Sequence, residues 1–259
     1  MKIVTWNING IRARLPVVLN WLKQNEPDII GLQEIKCLEE NFPKQEFEDL
    51  GYNVKILGQK GFNGVALLSR LPFDEVSYGL DGDESDEQAR LIEGVFSTRE
   101  GVVRVCNIYL PNGNPVESDK FTYKLNWMNR LNDFVARRLE FEEPFILMGD
   151  FNIIPSPIDC HDPKAWWGDA LYRPESLERF RTLMNMGMVD ALRATSTEPN
   201  YSFWDFQAGA WRKNNGIRID FLLLNAQAAD KLKYVKTHRE TRALERPSDH
   251  VPVEGGFWF

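Results

Sequence analysis

Short apolar stretches recur along the whole chain, separated by polar residues, glycine and proline. The stretches are five to nine residues long, and this length and spacing are typical of β-strands bounded by turns. We predict strands at residues 2–6, 28–32, 52–57, 64–69, 102–110, 144–148 and 219–224, with a last strand around the VPV sequence at 251–253.

Three segments between these stretches carry apolar residues at helical spacing instead. The predicted helices cover residues 15–22, 121–135 and 177–184. Ser118 is placed to cap the second helix at its N-terminus, and Gly187 is placed to end the third.

No linker, composition shift or repeat divides the chain, so we predict one α/β domain spanning residues 1–259. The most polar segment, GLDGDESDEQAR at residues 79–90, is expected to be a solvated loop.

Composition and charge narrow the class of protein. With 43% hydrophobic and 27% charged residues, the chain is typical of a compact, enzyme-sized fold. A formal net charge of −7 excludes a general polycationic nucleic-acid binder but is compatible with a local basic rim around an acidic site. The N-terminus lacks the layout of a signal peptide, so we expect a cytoplasmic protein. The three cysteines are odd in number and widely spaced, which predicts packing thiols rather than disulfides or zinc ligands.

Polar residues collect where the apolar stretches begin or end. These residues are Asn7, Asn9, Glu34, Asp150, Asn152, Asp220, Asp249 and His250. Side chains two positions apart on an extended chain point the same way, so Asp150 and Asn152 are able to address one point. Each residue taken alone also has a simpler explanation, as a turn former, a surface carboxylate or a structural histidine.

Carboxylates that converge in this way raise one another's pKa unless a positive charge lies among them. A divalent cation meets that need, and a ligand set rich in oxygen favours magnesium or manganese over zinc. Magnesium bound by one or two carboxylates and a substrate phosphate suggests hydrolysis of a phosphate ester.

Several motifs make the chain resemble the endonuclease/exonuclease/phosphatase superfamily. They are WNING with Asn7, GLQEIK with Glu34, GDFN with Asp150 and Asn152, RID with Asp220, and SDH with Asp249 and His250. Further segments narrow the resemblance to exonuclease III-like apurinic/apyrimidinic endonucleases of bacterial type: YLPNGN at 109–114, DEQARLI at 86–92, FWDF at 203–206 and NNGIRID at 214–220.

The resemblance implies a four-layered α/β sandwich, in which two packed mixed β-sheets are flanked by helices. It also implies magnesium as the cofactor, with manganese as a substitute. The implied metal site has Glu34 as its principal ligand, Asn7 and Asp249 near the ion or its waters, and Asp150, Asn152 and His250 as further candidate ligands.

The resemblance also implies the catalytic roles. Asp150 would orient or deprotonate the attacking water, and Asn152 would hold that water or a phosphate oxygen. His250, aligned by Asp220, would contact the scissile phosphate, while Tyr109 would hydrogen-bond near the phosphate or the leaving oxygen. The resemblance leaves two candidates, Asp150 and His250, for the group that takes the proton of the attacking water.

Binding of DNA is expected to use other residues. Phe203, Trp204 and Ile219 match the region where the family forms a small apolar pocket for a base-less sugar, although core packing is the alternative for Phe203 and Trp204. Trp211 lies on a loop expected to enter a DNA groove. The candidate phosphate contacts are Arg90, Asn112 and Arg12.

The activity implied by the resemblance is magnesium-dependent cleavage 5′ to abasic sites in duplex DNA, leaving a 3′-hydroxyl and a 5′-deoxyribose phosphate. A 3′-to-5′ exonuclease activity and removal of blocking groups from 3′ ends are expected with it, and a monomer is the default state. Two alternatives remain: the same chemistry on a phospholipid or inositol phosphate, and a DNA-binding module without catalysis.

Overall fold

The computed structural model describes residues 1–259. Its strands are β1 (Lys2–Asn7), β2 (Ile29–Gln33), β3 (Asn53–Leu57), β4 (Val65–Ser69), β5 (Glu75–Tyr78), β6 (Leu91–Thr98), β7 (Gly101–Tyr109), β8 (Phe145–Asp150), β9 (Val189–Asp190), β10 (Asp220–Leu224), β11 (Leu232–Thr237) and β12 (Val253–Phe257). Its helices are α1 (Ile11–Asn25), α2 (Lys44–Glu48), α3 (Asp119–Leu139), α4 (Pro174–Asn185), α5 (Ala191–Thr195), α6 (Ala210–Lys213) and α7 (Ala226–Ala229). None of the helices combines the length and the apolar character needed to cross a membrane.

The strands form two six-stranded sheets. The first has the order β11-β12-β1-β2-β4-β3 and the second the order β5-β6-β7-β8-β10-β9. Each sheet contains one parallel pair near its centre, β1 with β2 and β7 with β8, and its other neighbours are antiparallel. Both sheets are therefore mixed.

Three apolar layers hold the sheets and helices together. Between the sheets, side chains such as Ile3 and Leu67 of the first sheet pack with Val105 and Ile146 of the second. The outer face of the first sheet packs under α1 and α2, and that of the second packs under α3 and α4. This arrangement confirms the predicted four-layered α/β sandwich.

The topology brings one end of both sheets to the same edge of the molecule. In the first sheet Asn7 is paired in register with Gln33, which precedes Glu34. In the second sheet Asp150 is paired with Tyr109 on one side and with Asp220 on the other. The carboxyl ends of the parallel strands and the start of antiparallel β10 thus lie together.

A buried polar cluster joins the two sheets just below this edge. Asn107 of β7 donates through Nδ2 to the carbonyls of Leu32 and Ala66, both at 3.0 Å. Its Oδ1 accepts a hydrogen bond of 2.5 Å from Gln33 Nε2, which also donates to Thr5 Oγ1 at 2.9 Å. These contacts cross the apolar layer and set the position of one sheet relative to the other.

The predicted strands and the three predicted helices are present, with ends within a few residues of the predictions. Ser118 caps α3 by accepting from the Lys120 amide. Residues 79–86 are mainly turns and bends, as expected for the polar segment, but the side chain of Asp86 is buried, with its Oδ2 2.8 Å from Arg130 Nη1.

Strands β5, β6, β9 and β11 and the short helices α2, α5, α6 and α7 were not predicted. In β6, the longest of these strands, Glu93 and Gly94 interrupt the apolar pattern. In the folded chain Glu93 is almost completely buried and forms ion pairs with Arg138 and Arg104. These partners come from α3 and β7, so a local pattern does not reveal that Glu93 belongs to a core strand.

The backbones of β7 and β8 come very close at Gly149, and a substitution there tests this contact. Its φ is +147°, and a Cβ atom there would lie 2.0 Å from the carbonyl oxygen of Ile108. We expect Gly149→Ala to lower the free energy of unfolding by about 2 kcal/mol or more, from backbone strain and steric overlap.

Gly51→Ala is the matched control, because Gly51 also has a positive φ, +85°, but has no atom within 4 Å of the added methyl group. It should cost only about 1 kcal/mol. Urea unfolding of both variants measures the difference, and equal losses would contradict the steric argument.

Candidate active site

Four of the predicted site residues come from the ends of parallel strands. Asn7 is the last residue of β1, Glu34 follows β2, Tyr109 ends β7 and Asp150 ends β8. Because these strand ends share one edge, side chains from both sheets meet there without interrupting either ladder.

Asn7 is the direct link between the two sheets at this point. Its Nδ2 donates to Glu34 Oε1 and to Asp150 Oδ2, both at 2.9 Å. Its Oδ1 accepts from the backbone amide of Asn9 at 3.0 Å. Asn7 therefore holds one carboxylate from each sheet, and in this geometry it acts as a hydrogen-bond donor to them.

Glu34 has a left-handed backbone with φ of 50°, and its side chain is mostly buried. Lys36 Nζ lies 2.8 Å from Glu34 Oε2. Burial acts to raise the pKa of Glu34, but Lys36 and Asn7 lower it below its ordinary value. Glu34 is therefore an ionised carboxylate at neutral pH.

His250 lies opposite Glu34, between two carboxylates of the second sheet. Its Nδ1 is 2.8 Å from Asp220 Oδ2, and its Nε2 is 3.6 Å from Asp150 Oδ2. Asp220 Oδ2 also accepts from Ser202 Oγ at 2.6 Å. Burial lowers the pKa of His250, but Asp220 and Asp150 raise it, with a net value of about 10. His250 is therefore an imidazolium.

Asp150 is the residue whose charge depends most on its neighbours. Burial raises its pKa to about 7, although His250 and the hydrogen bonds from Asn152 and Asn7 favour the ionised form. Additional positive charge near Asp150 would therefore stabilise its ionised form.

The donor groups at this point fit a divalent cation. One ligand atom each from Glu34, Asp150 and His250 lies within 4.8 Å of the others. The carboxylate oxygens of Glu34 and Asp150 are ligands of the kind magnesium prefers. His250 Nδ1 is already bonded to Asp220, and the raised pKa of His250 favours a proton on Nε2, so the two carboxylates are the better candidates.

Asp249 lies beside this group rather than within it. Its Oδ1 accepts from Asn9 Nδ2 at 3.0 Å and from Ser248 Oγ at 3.3 Å. Asn9 also accepts through Oδ1 from Lys36 Nζ at 2.5 Å. Asn9 therefore connects Asp249 to the Lys36–Glu34 pair.

Tyr109 and Arg90 form the next part of the site. Arg90 donates through Nη1 to the Tyr109 carbonyl at 3.0 Å, and its guanidinium lies 5.0 Å from the centre of the Tyr109 ring. Burial raises the pKa of Tyr109 well above its ordinary value, and Glu34 and Asp150 add to this effect. The Tyr109 hydroxyl is therefore protonated and able to donate.

Asn152 and Asn112 join the GDFN and YLPNGN segments. Asn112 Nδ2 donates to Asn152 Oδ1 at 3.0 Å, and Asn152 Nδ2 donates to the Leu110 carbonyl at 2.9 Å. The amide of Asn152 donates to Asp150 Oδ1 at 2.9 Å. Asn152 is thus adjacent to Asp150 in space as well as in sequence.

Of the predicted DNA-binding residues, Phe203 contacts the site directly, whereas Trp204 and Trp211 pack against each other. Phe203 packs edge-on to His250 with ring centres 4.9 Å apart, and it contacts a small apolar cluster that includes Ile219. Trp204 is fully buried, which favours the core-packing alternative for this residue. Trp211 is half-buried and packs edge-on to Trp204 at 4.9 Å, with Arg239 5.0 Å from its ring centre.

Sequence reasoning did not identify Lys36, Ser202 or Lys124. Lys36 lies inside the GLQEIK motif, so its contact with Glu34 had a local signal. Ser202 had none, because its partner Asp220 lies 18 residues away. Lys124 lies three residues after Phe121 and four before Met128, so it falls on the predicted apolar face of α3.

Comparison with known proteins gives consistent results. The sequence profile of the endonuclease/exonuclease/phosphatase family matches residues 4–250. Exodeoxyribonuclease III of Haemophilus influenzae is 34% identical, with 99% of this chain and 100% of that protein covered.

Two solved structures are similar over the full length of both chains. A variant of the 3′ phosphatase NExo from Neisseria, bound to a product DNA hairpin, is 38% identical with a TM-score of 0.96. An AP endonuclease from Archaeoglobus fulgidus is 35% identical with a TM-score of 0.94. The chain belongs to the endonuclease/exonuclease/phosphatase family, as its motifs predicted.

Proposed function

We propose that this chain is a magnesium-dependent DNA repair nuclease that cleaves the phosphodiester bond 5′ to an abasic site in duplex DNA. The products would be a 3′-hydroxyl and a 5′-deoxyribose phosphate. The observation that carries the proposal is the arrangement of Glu34 and Asp150, held by Asn7, opposite the His250–Asp220 pair. It combines a cation site with a cationic donor for phosphate.

Glu34 and Asp150 would hold the cation, with Asn7 and Asp249 near it or its waters. Bound magnesium would neutralise negative charge on the phosphate and on the leaving oxygen. Lys36 and Asn9 keep Glu34 and Asp249 in place through the contacts described above.

The protonation states support separate roles for Asp150 and His250. As an imidazolium, His250 donates to the phosphate and has no free site for the proton of the attacking water. Asp150 is then the group that orients and deprotonates this water. Asp220 keeps His250 charged and oriented through the contact at Nδ1.

Asn152 would hold the attacking water or a phosphate oxygen, and Tyr109 would donate to the phosphate or the leaving oxygen. Arg90 and Asn112 line the same cavity as Tyr109, which supports their proposed contact with the DNA backbone. Phe203 lies beside His250, where a base-less sugar would rest. The contacts of Arg12 and Trp211 with DNA, the monomeric state and the cytoplasmic location remain predictions from the sequence.

A second activity at the same site is removal of nucleotides or phosphate from 3′ ends. The similarity to the Neisseria 3′ phosphatase over the whole chain supports it. The double-stranded DNA substrate would then present either an internal abasic site or a 3′ terminus to the same catalytic groups.

Cleavage of defined duplexes tests the function. The substrates carry one abasic-site analogue, one 3′-phosphate or no lesion, and each is assayed with magnesium and with chelator. We expect incision at the lesion only with magnesium, and about a 10²- to 10⁴-fold lower kcat for Asp150→Asn because the base and one carboxylate of the cation site are lost.

Asp49→Asn is the matched control, since Asp49 is exposed at the end of α2. It should cleave like the wild type. Equal cutting of the lesion-containing and undamaged duplexes would exclude specificity for abasic sites. Release of the 3′-phosphate without any incision would favour the second activity alone.

Glu34→Gln tests the cation site separately from catalysis. Removing one carboxylate charge should weaken magnesium binding about tenfold or more, measured by titration calorimetry without DNA. Glu39→Gln, at an exposed carboxylate, serves as the control. Unchanged magnesium affinity in Glu34→Gln would show that the cation lies elsewhere.

His250 should remain protonated above pH 8 in the metal-free protein, which NMR of the imidazole nitrogens measures directly. Because its pKa is raised from 6.5 to about 10, the stabilisation from the charged ring is complete below about pH 6.5 and is lost as the pH rises through about 10. Asp220→Asn should lower the pKa of His250, since burial opposes the charge. A His250 titration unaffected by Asp220→Asn would contradict the proposed role of Asp220.

A further inference from the structure

Lys124 is a charged residue in a position where the sequence pattern of α3 calls for an apolar one. Its side chain is fully buried, on the face of the helix that carries Phe121 and Met128. A buried ammonium group is costly unless it is fully hydrogen-bonded, so its presence requires an explanation.

The Nζ atom of Lys124 donates to three backbone carbonyls: Asn152 at 2.7 Å, Asn112 at 3.0 Å and Ala170 at 3.2 Å. Burial lowers the pKa of Lys124 to about 7, while Asp169 and Asp150 favour the charged form. A neutral amine has only two N–H groups, whereas an ammonium has one for each carbonyl. The geometry therefore fits the ammonium.

The three carbonyls belong to three separate loops. Asn112 lies between β7 and α3, Asn152 follows β8, and Ala170 precedes α4. The loops have other contacts with each other, such as the Ala170 amide to Asn114 Oδ1 at 3.1 Å. Lys124 is the one side chain that donates a hydrogen bond to a carbonyl of all three loops.

The loop between β7 and α3 folds closely over the Lys124 stem. Gly113 has a φ of +89°, and a Cβ atom there would lie 2.6 Å from Lys124 Cδ. The loop and the lysine are therefore fitted to each other, so a shift of the side chain would move the backbone beside Asn112.

The side chains of Asn112 and Asn152 meet above this point, with Asn112 Nδ2 donating to Asn152 Oδ1 at 3.0 Å. Asn152 also adopts a left-handed backbone with φ of 46°. Such a conformation costs about 1 kcal/mol or more and persists only where the surroundings hold it. The hydrogen bond from Lys124 to the Asn152 carbonyl is one of the contacts that does so.

We propose that Lys124 is a positioning residue for the phosphate side of the active site, which fixes the backbones of Asn112 and Asn152 so that their amide side chains face the substrate. The proposal rests on the proposed function for its effect on catalysis. Lys124 has no exposed surface, so it acts through the two asparagines and does not contact DNA.

Lys124→Met tests this by keeping the unbranched stem and removing the three donors. We expect kcat for abasic-site cleavage to fall about tenfold or more, because small misplacements of catalytic groups are costly. Magnesium affinity should change less than kcat does, since Glu34 and Lys36 do not contact Lys124 and Asp150 is also held by Asn7.

A mutant cycle with the double variant Asn112→Ala/Asn152→Ala separates positioning from loss of stability. If Lys124 acts through these two asparagines, adding Lys124→Met to the double variant should lower kcat by less than about twofold. Additive losses would overturn the proposal. Met128→Ala, a buried change one turn further along α3, is the stability control and should leave kcat unchanged at temperatures where it is folded.

Hydrogen exchange tests the positioning even if the chain proves not to cleave DNA. In Lys124→Met the amides of Asn152, Asn114 and Ala170 should exchange at least about tenfold faster, while those of β2 stay unchanged. Unchanged exchange in these loops would overturn the proposal whatever the activity. If Lys124→Met does not fold, Lys124→Gln, which keeps two donors on a shorter side chain, replaces it in the same exchange measurement, and unchanged exchange in these loops would overturn the proposal.

Discussion

The relative position of the two sheets at one edge is the constraint on which the site depends. Glu34 belongs to the first sheet and Asp150 to the second, so any sliding would separate them. Asn107 resists sliding, because its amide is satisfied only by carbonyls and by Gln33 on the opposite sheet. A shift would leave these buried groups unpaired, at a cost of about 1–3 kcal/mol each. Asn7 makes the same kind of link at the strand ends, directly between the two carboxylates.

The electrostatics of the site follow from this convergence. Burial and proximity make the carboxylates costly to ionise together. Cationic side chains on opposite sides of the site reduce that cost. Lys36 lies against Glu34, while His250 lies between Asp220 and Asp150. The ligand atoms of Glu34, Asp150 and His250 are close enough together to hold a divalent ion. A protein with a net charge of −7 is therefore able to offer both a cation site and positive groups for a phosphate.

The backbone around the site is strained in a consistent way. Asn9, Glu34, Lys36 and Asn152 all have a positive φ, between 46° and 54°. Each such residue costs about 1 kcal/mol or more, which surrounding hydrogen bonds offset. The Glu34 carbonyl accepts from the Gly10 amide at 2.7 Å, and the Lys36 amide donates to Asn63 at 3.0 Å. The turns that follow the strands direct the side chains toward a common point, and this pre-organisation suits the proposed binding of a cation and a phosphate.

The three longest helices and eight of the twelve strands were predictable because their signals are local: alternation, apolar spacing, a cap at Ser118 and breaks at glycine and proline. The motifs likewise identified the family and the residues that meet at the strand ends.

Strand β6 was missed because Glu93 is neutralised by arginines distant in sequence. The orientation of Asn7, the linking role of Asn9, the burial of Trp204 and the three contacts of Lys124 were also hidden. The sequence by itself determined the longer helices, most of the strands, the family and the chemical identity of the site residues, since these depend on neighbours along the chain. Only the tertiary structure decided which groups donate, which are charged and which are accessible, because those properties depend on partners that the fold brings together from distant segments.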